Sequence, residues 1–462
     1  MTAVARPDFF ASLPEPTRRN IEFAYNRLTG AGFECYLVGG AVRDLLMGRP
    51  AGDIDLTTNA RPEQVQRLFR RTIPTGLQHG TITVLLPDTK PDKKSNAGKS
   101  GTTGATATPG NATESFEVTT YRAESEYSDA RRPDQVNFAH SLEEDLGRRD
   151  FTVNAIAFEP GREELVDLFG GLADLERRML RTIGPPVDRF FEDGLRPIRA
   201  CRFAATLEFD IEATTEMALR NPEVQSRTAR VAIERFTDEI WKGFRAPAVS
   251  RMIRRLEDSG LLYLFYTDRP AKTSQATCEL LDRLDPAYPA PRLAHWWRDL
   301  GYTAERANNL ARKLKFSNKL ARDVEWLQRY FEFRDRPLAA VTGLIDPRGD
   351  LRLAARAWLS QLKDAYRDEA AEFLKQLASY PEGPVTIADL QAMLASDPLT
   401  VRDLAVSGGD LMNLGQSGPA IGETLRWMLE VVLRDPARNV AEELLATFAA
   451  RRAERNFPPG EG

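Results

Sequence analysis

Hydrophobic positions change their period partway along the chain. Within residues 1–170, short runs rich in β-branched and aromatic residues occur at 34–38 (ECYLV), 54–57 (IDLT), 81–86 (TITVLL) and 116–121 (FEVTTY). Each predicts a strand. Between the first two, Gly39-Gly40 precedes AVRDLLMG, which predicts a tight turn entering a helix that ends at Gly48. Residues 62–71 have proline at the first helical position and Val65, Leu68 and Phe69 at helical spacing. Beyond residue 185 strand signals nearly vanish. Helical periodicity runs through 192–206, 212–220, 230–245, 247–258, 305–315, 317–333, 350–377, 387–394 and 419–433. The expected fold is α+β: a head (1–170) with a small mixed or antiparallel sheet and flanking helices. All-α segments follow at 171–250, 251–400 and 401–462.

Composition narrows the partners. The 462 residues carry 63 Lys+Arg against 67 Asp+Glu, a net charge of −4. That excludes a histone-like polycation, so any nucleic acid must be held by local clusters. Three widely spaced cysteines (Cys35, Cys201, Cys278) give no disulfide framework and no CxxC spacing, which predicts a reducing cytoplasm. His79, His140 and His295 are too scattered for a histidine metal centre. The N-terminus MTAVARPDFFASLPEP lacks the apolar core of a signal peptide. No apolar run approaches the roughly 18 residues of a membrane span. No protein partner is implied. Residues 95–113 hold only Lys99 outside Ser, Asn, Ala, Gly, Thr and Pro, and predict a flexible loop. Gly98-Lys99-Ser100 is no phosphate loop, because the required glycine is Lys93.

Asp53-Ile54-Asp55 is the first candidate site. Residues two apart on a strand share a face, so both carboxylates converge while Ile54 faces inward. Their repulsion is relieved by a cation, for which Mg²⁺ is the usual solution; a solvated acidic pair is the simpler reading of this tripeptide alone. Gly39-Gly40, opening the helix that carries Arg43 and Asp44, offers backbone N–H groups to phosphates. A phosphate cradle beside a metal pair suits two-metal phosphoryl or nucleotidyl transfer.

These residues carry a resemblance. LVGGAVRDLLMGRPAGDIDLTT resembles the head of class II tRNA nucleotidyltransferases, the CCA-adding enzymes, within the DNA polymerase β-like superfamily. PTGLQHGTITV (74–84), FEVTTYR (116–122), RRDFTVNA (148–155), LVDLFGGLADLERRMLRTIG (165–184), EDGLRPIRACRFA (192–204) and ERFTDEI (234–240) are similar to further segments of that family in the same order. LKFSNKL (314–320) and LAVSGGDLMNLG (404–415) resemble its C-terminal half more loosely. The resemblance implies a bacterial enzyme without an HD phosphohydrolase domain, with neck, body and tRNA-binding tail after the head. It would add CCA to tRNA 3′ ends from CTP and ATP, using Mg²⁺.

Residue roles follow from the same blocks. Asp53 and Asp55 would hold metal, and Glu117, on a neighbouring strand face, is a candidate third carboxylate or simply exposed. Gly39, Gly40, Arg43 and Arg149 would meet the nucleotide's phosphates. Arg148 or Arg149 could instead pair with Glu143 or Glu144 one turn away. The resemblance implies that Asp150 and Asn154 read the ribose 2′-hydroxyl. Asp193 and Arg196, at i and i+3 of an expected single helix, would accept from the exocyclic amine and donate to the ring nitrogen of cytosine or adenine. Uracil and guanine mismatch both contacts. Arg199 and Arg202 continue that stripe, either meeting the triphosphate or bracing the base site. Glu192 completes the family pattern, and Glu234, Arg235 and Glu239 would orient Arg196. Arg306, Arg312, Lys313, Lys315, Lys319 and Arg322 lie in 17 residues without an acid, a candidate RNA-phosphate track or a solvated face.

The chain departs from the family in residues 88–115, inserted where a short turn is usual. Residues 123–135, with Arg131-Arg132-Pro133, match the family's polar loop at full length. This favours complete CCA addition, since CC-only relatives have the loop shortened; an A-adding specialist acting on CC-ending tRNA keeps it too and is the nearest alternative. A poly(A) polymerase of the same fold is the more distant alternative.

Overall fold

A computed structural model describes residues 3–5, 10–76, 80–86, 115–122, 138–266, 268, 270–335, 351–383 and 385–455. Most of the 88–115 insertion and the whole 123–135 loop lie outside these. The chain divides into two compact units, Met1–Arg269 and Pro270–Gly462. The expected head and neck segments therefore share the first unit, and the expected body falls almost wholly in the second.

The first unit is built on an eight-stranded mixed sheet. Its strands are β1 (Ala3–Ala5), β2 (Tyr36–Val38), β3 (Asp55–Thr58), β4 (Thr72–Gly76), β5 (Thr81–Leu85), β6 (Ser115–Thr120), β7 (Ile156–Glu159) and β8 (Glu164–Asp167), in the order β1-β8-β7-β2-β3-β6-β5-β4. Only β3 and β6 run parallel, and their register sets Asp55 beside Glu117. Sequence reading missed β1, β4, β7 and β8. In β7, Ile156, Ala157 and Phe158 are all buried, so no alternation betrays the strand. In β4, Pro74 and Gly76 give turn chemistry to an edge strand, where proline is tolerated.

One face of the sheet packs on the helix Glu15–Thr29 and the helix Pro62–Leu68 through Ile21, Ala24, Leu28, Val65, Ile82, Val84 and Val118. Asp55, Thr57, Glu117, Thr119 and Thr81 share the other face by period and register. The unit also holds the helix Gly40–Leu46, which carries Arg43, and among its later helices Pro186–Glu192, Arg196–Leu207, Ile233–Gly243 and Val249–Asp258. Phe203 of this group packs edge-on against Phe151 of the head, ring centroids 5.8 Å apart.

Helices are the regular structure of the second unit among its described residues, from Gln275–Arg283 to Ala441–Arg455. The expected 350–377 helix is broken into Leu351–Tyr366 and Ala370–Lys375. Gly408 and Gly409 open the helix Gly408–Asn413, capped by Ser407 and Asp410. No helix among the described residues is long and apolar enough to cross a membrane.

Candidate active site

A cavity of about 720 Å³ opens on the sheet's second face. Its lining brings together Gly39, Gly40, Arg43, Asp53, Asp55, Glu117, Arg149, Asp150, Asn154, Asp193, Arg196, Arg199 and Arg202, residues singled out from distant stretches of sequence. Arg122, Arg148, Lys242, Thr81, Thr119 and Phe203 also line it. Thr81 and Phe203 fall inside segments similar to the family without a role suggested for them, and Lys242 lies outside any such segment.

Gly39 ends β2 with φ +76°, a conformation that favours glycine. A Cβ there would lie 3.1 Å from an Arg149 guanidinium nitrogen and 3.8 Å from Asp55 Oδ2. The glycine thus lets the backbone approach both the cation and the carboxylate. Arg149 and Arg148 pair with Asp145, at 3.4 and 3.0 Å. Asp145 is fully buried, and also accepts from the Arg122 backbone N–H at 3.1 Å. Burial alone would raise its carboxyl, but the two arginines hold it below the usual range.

Asp53 lies just before β3 and is exposed; Asp55 opens the strand and is half-buried. Burial, then Glu117 and Asp53, push the Asp55 carboxyl up to about 6, against the pull of Arg149 and Arg122. That crowding of negative charge is what an oxygen-binding cation relieves. Glu117 stands level with Asp55, yet among the described residues no three His, Cys, Asp or Glu side chains gather as a metal cluster. Glu117 acts on Asp55 through its charge.

Behind this pair runs a polar network. Arg43, nearly buried, donates to Asn154 Oδ1 at 2.6 Å. Asn154 Nδ2 donates to Asp150 Oδ1 at 2.9 Å, and Arg199 Nε to Asp150 Oδ2 at 2.8 Å. Asp150 Oδ1 also takes the Phe151 N–H at 2.9 Å, and Oδ2 a second Arg199 nitrogen at 2.7 Å. All four acceptor positions of Asp150 are thus engaged. Burial would raise its carboxyl, but Arg199 and Asn154 bring it down to about 2. The Phe203 ring lies under Arg43, Arg199 and Arg202, at 5.4, 5.2 and 3.9 Å.

Asp193 and Arg196 are not on one continuous helix. The helix Pro186–Glu192 ends at Asp193, and the next starts at Arg196, whose N–H reaches back to the Asp193 carbonyl at 2.9 Å. Gly194 fits the break because a Cβ would stand 2.7 Å from the Arg227 carbonyl oxygen. Asp193 Oδ1 accepts from the Leu195 N–H at 3.0 Å and Oδ2 from Arg235 at 2.9 Å. Each oxygen keeps one lone pair. Arg196 is held by Glu192, by the Arg189 carbonyl at 2.9 Å and by the Arg148 carbonyl at 2.8 Å.

The expected brace of Arg196 is corrected here. Arg235 holds Asp193 instead, and Glu234 is exposed in the first helical turn. Glu239, buried on the same helix, ion-pairs with Arg202 and, at 3.5 Å, with Arg199. Helix phase decides this: the face bearing Phe236, Glu239 and Ile240 turns inward. Glu239→Ala would leave Arg202 buried beside Arg199 without its carboxylate. A loss of about 3 kcal/mol or more is expected, read as a fall in thermal midpoint, because breaking a buried pair strands a charge.

In the second unit, Arg312, Lys313, Lys315 and Lys319 are exposed around the turn between helices Ala304–Lys313 and Asn318–Asp335. The track is partly neutralised, since Lys319 lies 3.5 Å from Asp323 and Arg322 3.8 Å from Glu369.

Three family models match separate stretches of the chain. They describe a poly A polymerase head domain (35–181), a probable RNA- and SrmB-binding site of polymerase A (208–267) and a putative tRNA nucleotidyltransferase domain 2 (295–448). The CCA-adding enzyme of Lactiplantibacillus plantarum is 34% identical over 431 residues, 90% of this chain and 92% of its own length. That of Bacillus licheniformis is 32% identical, over 88% and 92%. Among solved structures, the Bacillus stearothermophilus CCA-adding enzyme in complex with CTP aligns with a TM-score of 0.72 at 28% identity. The match covers 96% of this chain and 100% of that one.

Proposed function

The chain belongs to the CCA-adding enzymes, and from that premise we propose that its cavity adds CCA to the 3′ end of tRNA, using CTP and ATP and no nucleic-acid template. The observation that carries this is one cavity lined by an aspartate pair, a glycine turn beside an arginine, and Asp193 with Arg196. The tRNA 3′-hydroxyl attacks the α-phosphorus, the bond to the β-phosphate breaks, and pyrophosphate leaves. The full length of the 123–135 loop in sequence favours CCA addition over CC addition alone.

Nucleotidyltransferases of this fold use divalent metal, and an oxygen-only donor set suits Mg²⁺. Held by Asp53 and Asp55, the metal would polarise the phosphate and lower the pKa of the attacking hydroxyl. The chain's own groups do the rest. The Gly39-Gly40 turn lets the backbone approach the triphosphate, with Arg149 and Arg43 supplying positive charge. Asp150 fixes Asn154 and Arg199, and a ribose 2′-hydroxyl meets Asn154 or exchanges with Arg199 at Asp150. Asp193 offers its two spare lone pairs to an exocyclic amine. Arg196, tied at three points, presents its remaining N–H groups to the ring nitrogen.

The buried cysteines, none of them in a disulfide, support a reducing cytoplasm as the setting of the reaction. The exposed Arg312, Lys313, Lys315 and Lys319 are assigned to tRNA phosphates. Pyrophosphate release from CTP, ATP and a tRNA lacking its CCA tests the reading; no release refutes it.

The raised Asp55 carboxyl sets a pH dependence. Below about 6 it is protonated, and metal must displace that proton. At subsaturating Mg²⁺, apparent metal affinity should fall about tenfold per pH unit below that value and level off above it. Titration of activity against Mg²⁺ at pH 5, 6, 7 and 8 checks this; a flat dependence contradicts it.

A further inference from the structure

The nucleotide accounts for only part of the cavity. In-line displacement places the attacking oxygen opposite the leaving pyrophosphate. The pyrophosphate end belongs to Gly39, at the end of β2, and the α-phosphorus to Asp55 on β3. The line from β2 through β3 continues over β6 and β5, which follow in the sheet. Neighbouring strands lie about 4.8 Å apart, so these two offer roughly 10 Å of floor, room for one nucleotide.

That floor carries Glu117, Thr119 and Thr81, and one guanidinium is laid across it. Arg122, just past β6, donates from Nη2 to Thr81 Oγ1 at 2.7 Å, and Thr81 Oγ1 lies 3.0 Å from Thr119 Oγ1. Its backbone is pinned by Asp145. Arg122 is near enough to Asp55 to pull on that carboxyl. The other cations lining the cavity come from helices or from the Arg148-Arg149 turn. Arg122 alone among them follows a sheet strand, on the side from which the attacking hydroxyl must come.

We propose that Arg122, seated on Thr81, binds the phosphate of the tRNA's terminal nucleotide and so positions its 3′-hydroxyl at Asp55. This rests on the CCA-addition reading and assigns the acceptor side of that same site. A planar, fixed guanidinium suits a phosphate oxygen pair.

The test uses the full chain, CTP and tRNA lacking its CCA, with KM measured separately for each substrate. Arg122→Gln should raise KM for tRNA about tenfold, the effect of one charged hydrogen-bond contact. KM for CTP should stay within about twofold, and the slope of log KM for tRNA against log salt should shrink by about 0.7, one single-strand phosphate contact. Arg122→Lys should keep the slope. Thr81→Val, which removes only the seat, should raise KM for tRNA about threefold, and it carries the test if Arg122→Gln fails to fold. An unchanged KM for tRNA, or a rise confined to CTP, overturns the assignment. A wild-type protein that adds nothing to tRNA overturns the CCA reading instead.

Discussion

Asp53→Ala should abolish nucleotide addition while leaving the fold intact. Asp53 lies outside β3 and is exposed, so its removal opens no core cavity. Asp55 alone cannot hold the cation against its neighbours' arginines. Losing several kcal/mol of transition-state stabilisation corresponds to about 10³-fold or more in kcat. Extension of end-labelled tRNA, beside a melting curve that stays at the wild-type midpoint, checks it. Incorporation at the wild-type rate would refute the metal assignment.

Asp193→Ala should act on choice of nucleotide. Its carboxylate is pre-aimed by the Leu195 N–H and Arg235, and Arg196 is tied into backbone carbonyls at both terminal nitrogens. A site built to pair polar groups rejects mismatches by up to about 10⁴-fold, because a wrong base strands buried donors and acceptors. With Asp193 removed, preference for CTP and ATP over UTP and GTP should fall by about 10²-fold or more. Where turnover is too slow for steady-state kinetics, single-turnover competition among the four nucleotides reads the ratio. Unchanged selectivity would contradict a protein-borne template. Arg235→Ala, which removes only a support of Asp193, should show the same direction with a smaller loss.

The chemistry-bearing residues were legible because each block combines a strand or turn signal with charged residues at a set interval. β3, β5 and β6 show in sequence through Thr, Val and Ile in alternation, and they carry Asp55, Thr81 and Glu117. What was not legible depends on distant packing. The helix break at Asp193-Gly194-Leu195 is set by the closeness of the Arg227 carbonyl, which no local propensity encodes. Glu234 and Glu239 lie on the same helix; which one reaches the site depends on the face that Arg202 meets. Arg122 lay inside a matching segment, but its contact with Thr81 crosses 41 residues. The pairing of Arg148 and Arg149 with Asp145 reflects the burial of Asp145 against Thr57.

Central to the account is stepwise, template-free addition that stops at CCA. Purified protein, Mg²⁺ and three tRNAs, ending before C74, at C74 and at C75, are incubated with CTP, ATP or both, and product length is resolved on a gel. With both nucleotides present these tRNAs should grow by three, two and one residues, and no further. Addition of A only to the tRNA ending at C75, or long A tails, would contradict it.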